Sequence, residues 1–360
     1  MMAHTAEPAY WLALAYTVNL NLARAKSVAV EWCVAQQQPL SALFEMPSGD
    51  AAARTGLTLE ECAALRTGRA SLVTQAAWLA ELATAGVRII TRADEAYPAA
   101  LARTLPLPAQ PLLLFSRGEM TVQRASVAAI VGDGEADPLT VDIARDLGAL
   151  LAEEGVIVVS GLSKGVGRAG VEGALSVCGG RAIAVLPLGI SAFETDHDLM
   201  QAAEQGRALL LSPFHPDAPF SEANAAARNR LIVGLLDALI VMQAGERGLV
   251  RDMADEALRA GKEVYVWEPD PADGEAAAGN RALIEAGGLP VNEMTEVMDI
   301  VDGLVELARS RRASLSECAT AASDVPDGDE NGAIDPQTVL DVLSRAGHVP
   351  EALRRRLGQV

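Results

Sequence analysis

The stretch with the most chemical content runs Ser160-Gly161-Leu162-Ser163-Lys164-Gly165-Val166-Gly167-Arg168-Ala169-Gly170, directly after the aliphatic run 156–159. A strand entering a glycine-rich loop and then a helix presents free backbone N–H groups and the positive end of a helix dipole. Lys164, one of three lysines with Lys26 and Lys262, and Arg168 flank the turn. The types and spacing fit a cradle for phosphate built on Gly161, Lys164, Gly165 and Arg168. Residues 165–170 also satisfy GxGxxG, but the next strand ends Leu186-Pro187-Leu188-Gly189 without an acid to hold a ribose, which argues against a dinucleotide site.

Four other stretches could share that site. Arg228-Asn229-Arg230 lies inside a helical window, and a guanidinium can hold two phosphate oxygens at once. The two arginines stand two apart, so they project in different directions and do not form one charged face. Salt bridges to the acidic surroundings are the plainer reading of both. Val131-Gly132-Asp133-Gly134 turns from strand to helix, with Gly132 open to close approach and Asp137-Pro138 as helix start. Asp133, Glu135 and Asp137 would repel phosphate unless they point away. Gly245-Glu246-Arg247-Gly248 and Gly279-Asn280 are further walls, each weak alone.

No catalytic constellation accompanies them. His4, His197, His215 and His348 are scattered without metal-ligand spacing, and His197 between two aspartates reads as a solvated turn. Ser160 and Ser163 have no evident base. Cys33, Cys62, Cys178 and Cys318 form no CxxC pair, so neither a zinc site nor a disulfide framework is expected. The expectation is a protein that binds rather than catalyses, with no metal and no cofactor.

The elements that must position these loops follow from periodicity. Residues 1–85 carry Ala, Leu, Glu and Gln at helical spacing, with breaks at Pro39, Pro47 to Gly49 and Gly68, which predicts a small all-helical domain. A short strand is expected at 87–91. Beyond it, aliphatic runs at 112–115, 127–131, 156–159, 182–186, 208–211, 238–242 and 263–267 alternate with helical windows at 138–153, 168–177, 200–204, 221–236, 249–260 and 280–286. Strands apolar throughout are buried on both faces, so residues 86–310 read as an α/β, Rossmann-like, doubly wound, mostly parallel sheet. Its ligand belongs beyond the carboxyl ends of the strands. Residues 311–335 read as an acidic flexible linker and 336–360 as a short helical tail.

Charge bears on the partner. The chain has 360 residues, 29 basic against 48 acidic, for a net −19. Residues 1–125 count 10 against 10, residues 126–310 count 13 against 30, and residues 311–360 count 6 against 8. The acidity therefore belongs to the α/β part, which excludes gripping nucleic acid with the whole surface but not with one basic pocket. The apolar stretch 10–23 lacks a basic leader and is interrupted by Asn19 and Asn21, so it is neither a signal peptide nor a membrane span. A cytoplasmic location is expected.

The order of these motifs resembles the bacterial DNA-processing protein A family (DprA, also called Smf). The resemblance runs from Tyr10-Trp11-Leu12 through Tyr97-Pro98-Ala99-Ala100-Leu101, Pro111-Leu112-Leu113-Leu114-Phe115-Ser116-Arg117-Gly118, Ala129-Ile130-Val131-Gly132, Val159-Ser160-Gly161-Leu162 and Arg228-Asn229-Arg230-Leu231-Ile232 to Gly279-Asn280, over roughly residues 9–300. It implies binding of single-stranded DNA, delivery of RecA onto it in natural transformation, and a homodimer. Carried over by position, it places DNA phosphates at Gly132, Gly161, Lys164, Arg228 and Arg230. Lys164 stands where the family commonly has Arg. The family's Val-Gly-Ser-Arg turn is here Val131-Gly132-Asp133-Gly134, its Ser-Gly-Ser/Thr loop is Gly245-Glu246-Arg247-Gly248, and no winged helix is recognisable in the tail. These exchanges leave a second reading open, a module that senses a nucleotide or another small phosphorylated ligand. A phosphoribohydrolase is a poorer match, since that loop lacks the Pro-Gly-Gly-x-Gly-Thr sequence.

Overall fold

The aliphatic runs form buried strands. A computed structural model describes residues 7–118, 125–133, 136–193, 196–268, 278–292, 298–307 and 309–310. Residues 1–304 cluster as one compact unit and 305–360 as a second. The expected linker at 311–335 and tail at 336–360 lie outside the described residues.

The N-terminal part is helical: α1 (Glu7–Tyr16), α2 (Leu22–Ala29), α3 (Leu40–Glu45), α4 (Ser48–Thr55), α5 (Leu59–Gly68) and α6 (Leu72–Thr84). Local chemistry sets the ends. The Asn21 side chain accepts from Ala23 N–H to start α2, and Thr58 and Glu61 form a reciprocal capping box on α5. Gly56, at φ +64°, ends α4 in the left-handed region. The expected break over Pro47 to Gly49 is shorter than the sequence suggested. Pro47 is extended and caps α4, whereas Ser48 and Gly49 are already helical, because proline is tolerated at a helix start and only disrupts an interior. Trp11, Trp32, Phe44 and Leu40 are fully buried and hold this part together.

Among the described residues nine strands follow: β1 (Arg88–Thr91), β2 (Leu113–Arg117), β3 (Val127–Gly132), β4 (Ile157–Ser160), β5 (Ala182–Val185), β6 (Ala208–Ser212), β7 (Ala238–Gln243), β8 (Glu263–Trp267) and β9 (Leu289–Val291). They form one sheet in the order β1-β2-β6-β5-β4-β3-β7-β8-β9. β1 and β2, and β2 and β6, pair antiparallel, and every other neighbouring pair is parallel. All residues of β4, β5 and β6 are buried, as a sheet covered on both faces requires. The fold is thus mixed α/β with a mostly parallel, Rossmann-like sheet. β9 was not foreseen: it has three residues with Pro290 at its centre, and proline there is compatible only with an edge strand.

The covering helices are α7 (Ala99–Thr104), α8 (Pro138–Glu153), α9 (Val166–Ser176), α10 (His197–Glu204), α11 (Glu222–Leu235), α12 (Leu249–Arg259) and α13 (Ala278–Glu285). α8 and α9 pack backbone to backbone: a Cβ on Gly148 would strike the Gly170 carbonyl, and one on Gly173 the Arg145 carbonyl. A Cβ on Gly170, the last glycine of the GxGxxG pattern, would press on Ile130 Cδ1 at 3.1 Å, so that glycine serves the packing of α9 on β3. From β3 the chain winds outward through β4, β5 and β6, then returns to β7 on the other side of β3. That reversal opens a crevice beyond the carboxyl ends of β3 and β7, with the β4–α9 loop beside it.

Candidate phosphate-binding site

The β4–α9 loop is held in an unusual shape by its own serine. Ser160 Oγ donates to the Gly167 carbonyl at 2.7 Å and accepts from Leu162 N–H at 3.0 Å. Leu162 adopts φ +57° and Gly165 φ +83°. A leucine in the left-handed region costs on the order of 1 kcal/mol, so the fold over-determines this loop. Gly161 is required by contact: a Cβ there would overlap the Arg228 guanidinium.

Arg228, from α11, is the centre of the site. Its side chain is 7% exposed, and Nη1 donates to the Gly161 carbonyl. Its Nε is buried without a hydrogen-bond partner, and among the described residues no carboxylate pairs with it. Burial lowers its pKa to about 10, which leaves it charged at neutral pH. A buried, uncompensated cation is costly, and the missing counter-charge is the kind a bound anion supplies.

The helix starts around the crevice differ in a telling way. α8, α10 and α11 are capped by the side chains of Asp137, Asp196 and Ser221. α9 and α12, eleven residues each, begin at Gly165 and Gly248 with no side-chain cap. Arg168 N–H already donates to the Ser163 carbonyl at 3.0 Å, so at α9 the Val166 and Gly167 N–H groups, and at α12 its first-turn N–H groups, stay available to an anion. Lys164 is exposed at the turn of α9 and Arg247 beside the start of α12, neither with a partner among the described residues.

Two of the three acidic residues near the site are held by local hydrogen bonds. Asp133 Oδ2 accepts from Gly245 N–H at 2.5 Å, clasping the loop after β3 to the loop after β7. Asp137 is spent on capping α8, accepting from the Thr140 hydroxyl at 2.6 Å and from Thr140 N–H at 3.0 Å, and these bonds hold its carboxyl below the usual range. Glu135 lies outside the described residues, as does Gly134.

Several expected site residues serve the scaffold instead. Arg168 pairs with Glu172 at 2.8 Å and Asp196 at 2.5 Å, so its charge is already balanced. Asn280 is buried: its Oδ1 accepts from Ala244 N–H at 2.8 Å, and its Nδ2 donates to the Met242 and Trp267 carbonyls at 3.0 and 2.8 Å. Gly279 lets α13 press onto the Ala244 carbonyl, and Gly132 lies where a Cβ would meet Val166 Cγ2 at 2.7 Å. Asn229 Nδ2 donates to the Leu249 carbonyl at 3.3 Å, tying α11 to α12. Arg230 is exposed and lines a separate cleft with Tyr16 and His215. The two-residue spacing anticipated that divergence, but not which arginine would face the loop. His197 is the first residue of α10 rather than a turn, because Asp196 caps it, and its side chain is 89% exposed. Arg247 gained little weight from sequence, and only the bare start of α12 marks it.

Among the described residues no cluster of His, Cys, Asp or Glu could hold a metal ion. None of their helices is long and apolar enough to cross a membrane.

Comparison with known proteins agrees with this architecture. Residues 88–302 match the family described as DNA recombination-mediator protein A. Protein Smf of Escherichia coli K12 is 31% identical over 250 residues, 68% of this chain and 64% of that protein, so less than two thirds of its length is spanned. A putative DNA processing protein DprA of Mycobacterium tuberculosis is 29% identical over 283 residues, 75% of this chain and 67% of its own. The X-ray structure of DNA processing protein A from Streptococcus pneumoniae superposes with a TM-score of 0.61 at 23% identity, over 81% of this chain and 97% of that one. The Helicobacter pylori DNA processing protein A structure, described for its single-stranded DNA binding mode, gives 0.51 at 21% identity, over 61% of this chain and 96% of that one. At these identities the two structures establish the fold alone.

Proposed function

The chain belongs to the DNA recombination-mediator protein A family, and from that premise we propose that it binds single-stranded DNA by its phosphates at the β4–α9 loop. Arg228 carries the proposal, as a buried guanidinium without a counter-ion against the Gly161 carbonyl. A phosphate there would supply the missing charge, with Lys164 and Arg247 reaching from the two uncapped helix starts. Gly132, Gly165 and Gly279 let the loops approach one another, and Asn229, Asn280 and Arg168 hold the walls. Among the described residues three cations, Arg228, Lys164 and Arg247, face the ligand, so affinity should fall with salt less steeply than for a protein with a broad basic face.

We further propose a role without catalysis: a cytoplasmic homodimer that holds single-stranded DNA and hands it to RecA during DNA uptake and recombination. The family membership supports this reading. The test is an oligonucleotide titration at several salt concentrations on the full chain and on Lys164→Glu. Binding weakened about tenfold or more by the substitution at low salt supports the site; binding that is absent, or unchanged in Lys164→Glu, sinks it.

The acidic balance of residues 126–310, 13 basic against 30 acidic, favours a second reading in which a nucleotide or other small phosphorylated ligand occupies the same cradle. Thermal shift with nucleotides, in a protein that ignores oligonucleotides, would replace the first reading by this one.

A further inference from the structure

Phe, Trp and Tyr make up only 4% of the chain, yet the Tyr16 and His215 rings line one cleft away from the cradle, with Trp78 packed against both. The His215 ring stacks on Trp78 at 4.9 Å with 20° between planes, and Tyr16 stands edge-on to it at 5.2 Å. The cleft measures about 430 Å³ and opens between α1 and α2 of the helical part and the start of the loop after β6. Tyr16, Lys26, Pro108, Pro213, His215 and Arg230 give it its character.

Three features set it apart from an ordinary inter-helix gap. Tyr16 is 39% exposed, and its hydroxyl has no hydrogen-bond partner among the described residues. Arg230 is exposed without an ion pair, while Lys26 is buried with its ammonium donating to the Pro108 carbonyl at 2.6 Å. Among the described residues no carboxylate lines the cleft itself, although the chain carries a net charge of −19, and Asp217 Oδ2 stands 3.9 Å from His215 Nδ1 beside it. A flat aromatic face, one free phenol and the unpaired Arg230 suit a ligand that is planar, hydrogen-bonding and anionic at one side.

We propose that this cleft is a nucleobase site. A base stacks on the exposed Tyr16 ring, the His215 ring, at 81° to it, stands at the base's edge, and Arg230 meets the adjoining phosphate. The inference rests on the single-stranded DNA reading and extends it: Arg228 and Arg230, two residues apart on α11, serve different parts of one strand. Stacking tolerates any base, so this site adds affinity without sequence preference.

The test compares two probes on the full chain by fluorescence anisotropy: an oligothymidylate, and an abasic strand of the same length. Wild type is expected to prefer the base-bearing strand by about tenfold. Tyr16→Ala should abolish the preference while leaving abasic affinity unchanged. Tyr16→Phe, which keeps the ring and the fold, should retain most of it. Arg230→Glu, at an exposed position, should weaken both strands about fivefold or more. Equal affinity of wild type for both strands, or a preference undiminished in Tyr16→Ala, overturns the base site. If binding then still collapses in Lys164→Glu, the phosphate cradle survives that failure. A preference lost in Tyr16→Ala with binding indifferent to Lys164→Glu retains the base site and removes the cradle.

Discussion

Replacing Arg228 by methionine separates a residue kept for a ligand from one kept for the fold. The depression of its pKa to about 10 corresponds to a penalty on the buried charge of about 3 kcal/mol, at about 1.4 kcal/mol per pH unit. Against this stands the hydrogen bond to the Gly161 carbonyl, worth about 1.5–3 kcal/mol for a charged donor. Methionine fills a similar space with no charge to desolvate. The net change in the free protein is therefore between about 0 and 2 kcal/mol, in favour of the variant. The sign with pH also follows. The folded-state pKa of a cation is lowered, so folded and unfolded chains are both protonated well below 10, and the difference stays flat from pH ~5 to ~9. Urea denaturation of the full chain with and without oligonucleotide is the assay. Arg228→Met should be as stable as wild type or more so when free, and should lose the stabilisation that DNA gives. Destabilisation by more than about 2 kcal/mol with DNA affinity intact would refute the reasoning and make Arg228 a structural residue.

Gly161→Ala drives a methyl into the Arg228 guanidinium and should cost about 1–3 kcal/mol on denaturation while reproducing the binding loss of Arg228→Met. Asp133→Asn keeps an acceptor for Gly245 N–H but removes a negative charge beside the cradle. It should lower stability by about 1 kcal/mol and raise oligonucleotide affinity about threefold at low salt, an effect that salt erases. Asn280→Ala strands Ala244 N–H and the Met242 and Trp267 carbonyls, so thermal unfolding should show a loss of about 3 kcal/mol whether or not DNA is present.

How much of this was legible in the sequence depended on the range of the interaction. The strands were readable because runs such as 156–159 and 182–186 are apolar on both faces, and the helix at 138–153 because Asp137-Pro138 is a local start signal. The strand-glycine-helix loop placed Gly161 and Lys164 at the sheet's carboxyl edge for the same reason. Contacts between distant segments were not readable. Half of the neutralisation of Arg168 was readable, since Glu172 stands four residues on along the same helix, but its second partner, Asp196, lies 28 positions away. Asn280 stood beside a glycine in a loop-like stretch, and nothing nearby in sequence revealed that three backbone groups from β7, the loop after it and β8 consume it. The meeting of Tyr16, Trp78 and His215 joins the helical part to the α/β part, beyond the reach of any periodicity.

In the proposed mode the Val166 and Gly167 N–H groups of α9 and the first N–H groups of α12, with Arg228 and Lys164, receive the phosphates. Amide hydrogen exchange of the full chain with and without a single-stranded oligonucleotide reads this out at the loops themselves. Added protection is expected in residues 161–169 and 245–252, absent in Lys164→Glu. Protection confined to other surfaces, with those two loops unchanged, would contradict it.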